Sequence, residues 1–224
     1  MKGKKARPAP KLRADVMLDR LRSEFTSEPQ LSNVFLGLLE KILPALLRKF
    51  FPNFTPDKPL PPSGVGPEVP LPKVTFGQLM TAAAASSHQG VEVWTKDDSA
   101  LMVATGKVTL NLADGLVIVQ IPVWCDQIEA TVQVPFAMGG ANTPSGMLVA
   151  TEETPRGPDA IITVWSESLI AFAWKTLLTV VTQVAAATGK DQDGAGLIPA
   201  ALTATPDGVR ILTMARHPFD RVSQ

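Results

Sequence analysis

The chain has no tyrosine, one cysteine and two histidines among its 224 residues. A single thiol, Cys125, closes no disulfide within the chain, so nothing in the composition points to an oxidising compartment. His88, His217 and Cys125 together fall short of the four ligands of a closed Cys/His zinc site. An excess of charge is missing too. Lys and Arg number 21 and Asp and Glu number 21, so no global field recommends a nucleic acid or an acidic partner.

Motifs that carry chemistry are equally scarce. There is no GxSxG elbow, no GxxxxGKS/T phosphate loop and no strand–glycine loop–helix unit for a dinucleotide. Asp191-Gln192-Asp193-Gly194 opens like a calcium loop but lacks the later oxygen ligands and the glutamate that closes such loops. The neighbouring carboxylates Asp97/Asp98 and Glu152/Glu153 point apart in extended chain and make no acid–base pair. Cys125, within VWCDQ, reads first as a small buried apolar residue, and a nucleophile–base pair with a histidine has no local signature. No catalytic, metal-binding or cofactor-binding residue is therefore assigned, and the reading is of a non-enzymic protein.

What is present is segmental. Residues 1–13 hold Lys2, Lys4, Lys5, Arg7, Lys11 and Arg13 and no acidic residue, an arm whose chemistry suits nucleic acid or anionic lipid. It has no apolar stretch of the secretory kind before Asp15, so a cytoplasmic location is expected. Residues 14–51 read as a helical arm of two helices. The first carries Met17, Leu18, Leu21 and Phe25. The second places Phe35, Leu38, Leu39, Ile42, Leu46 and Phe50 along one apolar face, with Pro44 expected to kink or divide it. Residues 52–73 contain eight prolines and read as an extended, semi-rigid spacer.

Residues 74–224 read as an α+β domain: an antiparallel sheet of about seven or eight strands covered by one long helix. Thr75-Phe76-Gly77-Gln78 suggests a capping box ahead of a short helix. Strand patterns follow at VEVWT, ALMVATGKVTLNL, LVIVQIPVW, IEATVQVPFAM, GMLVATEE and AIITVW, with hairpin turns at Ala113-Asp114-Gly115 and Pro206-Asp207-Gly208. Val117, Val119, Ile121 and Val123 share one face, while Leu116, Ile118 and Pro122 leave the other face partly apolar. The run from Trp165 to Gly189 is the longest apolar stretch. On a helical wheel Leu169, Ala173, Trp174, Leu177, Val181 and Val184 fill half the circumference, and Lys175 with Thr179, Thr182 and Gln183 forms a thin polar stripe. A lysine at its centre argues against a transmembrane span.

Two functions follow as expectations. The first is an assembly or adaptor subunit, such as a phage, capsid-like or secretion-particle component, forming a homo-oligomer or a larger protein assembly. Its apolar arm (Phe35, Leu38, Leu39, Ile42, Leu46, Phe50) would dock on a neighbouring subunit across the proline spacer, because so much apolar surface does not stay in water. The second is a small-molecule or lipid binder with a cavity beneath the 166–188 helix, lined by Trp174, Leu177 and Val181.

Overall fold

A computed structural model describes residues 33–52, 58–61, 64–85, 90–96, 98–142, 149–150 and 155–216. In chain order these form helix α1 (Asn33–Phe50), strand β1 (Val65–Pro72), helix α2 (Lys73–Ala84), and strands β2 (Glu92–Lys96) and β3 (Ser99–Val103). Next come β4 (Thr109–Ala113), β5 (Leu116–Cys125), β6 (Ile128–Ala137) and the two-residue β7 (Val149–Ala150). Helix α3 (Asp159–Thr188) and the hairpin β8 (Ile198–Thr205) and β9 (Gly208–Met214) complete the fold. The class is α+β, but the strands divide into two antiparallel sheets rather than the single sheet expected. One has the order β1-β9-β8, and the other runs β2-β3-β5-β6-β7 with β4 also paired to β5.

The proline-rich segment is where sequence and structure part most clearly. Its second half is no spacer; it is β1, the edge strand of the smaller sheet. Lys73 N donates to the Asp207 carbonyl, which sets the register so that Leu71 and Val69 exchange backbone bonds with β9. Pro70 and Pro72 then turn their missing donors to the open side, and Pro67 falls in a bulge between Val65 and Glu68. These are the places a strand tolerates proline, because no ladder bond is lost there. Val69 and Leu71 alternate inward and are buried.

Upstream of β1, helix α1 is held against its own domain. Helix α1 packs on α2, α3 and β1. Its buried row is Phe35, Leu39, Leu43 and Leu47, spaced four residues apart, and Leu38 and Leu46 flank that row against the core. Pro44 lies on the exposed side and does not divide the helix, since the carbonyl freed at Glu40 faces water there. Both residues lie on the solvent face of α1.

The larger sheet is a meander around β5. Val117, Val119, Ile121 and Val123 all turn inward and are buried, and their partners Val132, Val134 and Phe136 on β6 join them. The stretch expected as one strand from Ala100 to Leu112 is broken by a 3-10 turn at Thr105–Lys107, between β3 and β4. That break faces Pro122, whose carbonyl accepts from Ala104 N and which has no N–H to offer. Pro135 sits on β6 at a position whose backbone points to the outer edge, away from β5. Gly115 closes the β4–β5 hairpin with φ of 70°. The two sheets meet at this end, where Gly115 N donates to Ala204 and Gly139 exchanges bonds with β8.

Helix α3 is longer than expected at its start, because AIITVW is its first two turns rather than a strand. Ile161, Trp165 and Leu169 lie four residues apart and join the buried row, and Asp159 just after Pro158 suits a helix N-terminus. The helix touches α1, α2 and strands of both sheets. By length and composition it could cross a membrane, yet its middle, from Ala173 to Val181, is covered by the chain's own core except at Lys175. Thr176 and Thr188, buried on its other sides, satisfy their hydroxyls by donating back to Phe172 and Val184. Helix α2 begins at Lys73 after Pro72, with no side-chain cap, so Thr75 is a helical residue and the capping box is not formed.

Candidate functional site

The six arm residues do not form one accessible face. Phe35 is 0% exposed and Leu39 is buried beside it, so both belong to the core of their own domain. Leu38, Ile42 and Leu46 are half-buried, and only Phe50, at 42% exposure under the Lys49 ammonium, stands in solvent. Docking on a neighbour through Phe35 and Leu39 is therefore corrected: that surface is already covered by α2, α3 and β1. What remains along α1 is a groove of about 440 Å³ between Leu39, Leu43, Leu47, Phe51 and Ala187, with Glu40 and Arg48 on its rim.

The cavity expected beneath the long helix is likewise corrected. Trp174, Leu177 and Val181 are 1%, 0% and 1% exposed. A void able to admit a water-sized probe would give them accessible surface, so their side chains are packed against neighbours; Phe136, for one, lies 5.3 Å from Trp174 between ring centroids. A cleft of about 350 Å³ lies elsewhere, between α2 and Thr109 and Leu110 of β4. The indole N–H groups of Trp165 and Trp174 and the Thr105 hydroxyl are buried and have no hydrogen-bond partner among the described residues.

Lys2, Lys4, Lys5, Arg7, Lys11 and Arg13 lie outside the described residues, as do His88 and His217. Among the described residues no cluster of three or more His, Cys, Asp or Glu side chains could hold a metal ion. Cys125, at the end of β5, is a free, half-buried thiol.

The surface that stands out is one that sequence reasoning saw only in part. The outer face of the larger sheet carries a cross-strand row of Val93, Met102 and Trp124 on β2, β3 and β5. Val93 is 62% exposed, Met102 45% exposed and Trp124 half-buried. Leu116, Ile118 and Pro122, the apolar residues anticipated on that face, are half-buried farther along β5. Val93 and Met102 were missed because a five-residue strand shows alternation without showing which of its faces is inside. The signal lay in Glu92-Val93-Trp94-Thr95-Lys96 itself, where apolar residues occupy both faces.

No protein-family description, curated protein or solved structure matches the chain.

Proposed function

We propose that this protein is a non-catalytic assembly or adaptor subunit, working as a homo-oligomer or as part of a larger protein particle in the cytoplasm. The observation that carries the reading is the row Val93, Met102 and Trp124, an apolar stripe on the sheet face that its own domain leaves to solvent. Large aliphatic and aromatic side chains grouped on one exposed face gain from burial against a partner. The role first expected of the helical arm passes to this face, since the arm's most apolar residues are in the core. Contacts of the basic N-terminal residues with nucleic acid or anionic lipid fit the same setting.

Light scattering coupled to size exclusion tests the reading on the full-length chain. An oligomer that dissociates on dilution is the expected result, and a monomer over roughly two decades of concentration would refute it. A second reading, a lipid or small-molecule binder, is favoured by the groove along α1, whose volume of about 440 Å³ falls within the usual range of ligand sites. Native mass spectrometry of the purified protein decides it: a co-purifying apolar ligand supports that reading, and a bare chain counts against it.

A further inference from the structure

The free edges of the two sheets are not alike. On β1 the outward backbone positions include Pro70 and Pro72, which have no donor to give an incoming strand. Along the outer side of β6, Arg156 exchanges two bonds with Gln133, and β7 pairs with Phe136 and Ala137. Among the described residues strand β2 pairs with β3 alone, and it carries no proline.

Its register shows which backbone groups are spare. Ala104 N donates to the Pro122 carbonyl, so Met102, two residues before, also turns its backbone to β5, and Leu101 and Val103 turn theirs to β2. Their partners Trp94 and Glu92 are consequently bonded to β3, with Lys96 in phase. Val93 and Thr95 therefore direct N–H and C=O to the open side, and among the described residues no backbone group bonds to them.

From this we infer that β2 is the site of pairing with a second copy of this chain, edge to edge and antiparallel about a twofold axis at Trp94. The inference deepens the assembly reading and rests on it. With the axis at Trp94, Val93 meets Thr95 of the second copy, and all four outward groups of each strand are bonded at once. In the same register Glu92 lies opposite Lys96 of the second copy, twice by symmetry, in the closer, non-hydrogen-bonded type of pair. A shift of two residues either way loses half the backbone bonds and both charge pairs. The sequence EVWTK is thus complementary to itself in one register, as an isologous interface requires. Glu92 already accepts from the Trp94 indole at 2.7 Å and Lys96 donates to the Val164 carbonyl at 3.2 Å, so both charges are held at the strand rather than swinging free. A carboxylate accepts more than one bond and an ammonium donates three, so these contacts persist alongside the pairing. Joining the two sheets also extends the exposed face, bringing Val93 beside Thr95 of the second copy.

Three variants of the full-length chain, followed by light scattering and sedimentation, test this. Thr95→Pro removes an outward donor without touching the β2–β3 ladder, and weakens self-association at least about tenfold. Glu92→Lys alone, which sets like charges opposite each other, weakens it about fivefold. Adding Lys96→Glu to Glu92→Lys restores it, because exchanging both charges keeps the pair complementary between copies. That rescue separates pairing from a structural effect, since the exchanged side chains rebuild neither the Trp94 nor the Val164 contact within one chain. Circular dichroism checks that each variant is folded. If the chain self-associates but Thr95→Pro and Glu92→Lys both leave the affinity unchanged, or if the double exchange fails to restore it, β2 pairing is wrong while the assembly reading stands. A full-length chain that never self-associates removes both.

Discussion

Replacing Phe35 by alanine and, separately, Phe50 by alanine asks where α1 spends its hydrophobicity. On a helical wheel the two belong to one face, yet Phe35 is 0% exposed in the core and Phe50 is 42% exposed at the end of the helix. Truncating a phenylalanine in a packed core costs about 3–5 kcal/mol, through lost transfer energy and the cavity left behind. Domains of this kind are stable by about 5–15 kcal/mol in total, so Phe35→Ala removes a large fraction. For a chain of this length the loss lowers the melting temperature by about 6–20 °C. Phe50→Ala loses a partly solvated ring and its contact with the Lys49 ammonium, 5.4 Å from the ring centroid. That change costs less than about 1 kcal/mol. Urea unfolding read by tryptophan fluorescence serves for both, because Trp165 and Trp174 are buried and report the core. Two equally mild variants, with Phe35→Ala acting instead on oligomer size, would refute the packing of α1 on its own domain.

Other perturbations probe other parts of the molecule. Pro44→Ala restores a donor on the exposed side of α1 and raises unfolding stability by about 2 kcal/mol, the gain in helix propensity less the entropy returned to the unfolded chain; a loss in denaturant midpoint would contradict it. Thr105→Val replaces a fully buried hydroxyl, without a partner among the described residues, by a methyl of equal size, and stabilises by about 1 kcal/mol in the same assay. Gly115→Ala destabilises by about 1–2 kcal/mol, since φ is 70° and the added Cβ meets the Met138 carbonyl oxygen at 3.2 Å. A neutral result would mean that the β4–β5 turn relaxes freely.

Much of the larger sheet was legible in the amino-acid order because its signals are local. Alternation within β5 assigned Val117, Val119, Ile121 and Val123 to one face, and Asp114-Gly115 marked the hairpin, since both depend on residues a few positions apart. Proline reads as a spacer signal for the opposite reason. Whether a residue without an N–H can sit in a strand depends on whether that N–H would face a neighbour, and β9, more than a hundred residues away, decides this for Pro70 and Pro72. AIITVW, rich in β-branched residues, reads as a strand by composition, yet its buried members Ile161 and Trp165 lie four apart in line with Leu169, the spacing of a helix face.

The candidate site divides in the same way. Composition by itself determined that the chain has too few histidines and cysteines for a closed Cys/His zinc site and no excess charge. The apolar character of α1 and α3 was also plain from order alone. Only the tertiary structure decided which neighbour covers each apolar face: α1 lies on its own core, α3 is covered through its middle, and the uncovered stripe falls on β2, β3 and β5. The physical reason is that hydrophobic burial has no direction and no sequence range. A stretch announces that it needs cover, and the rest of the fold determines what supplies it.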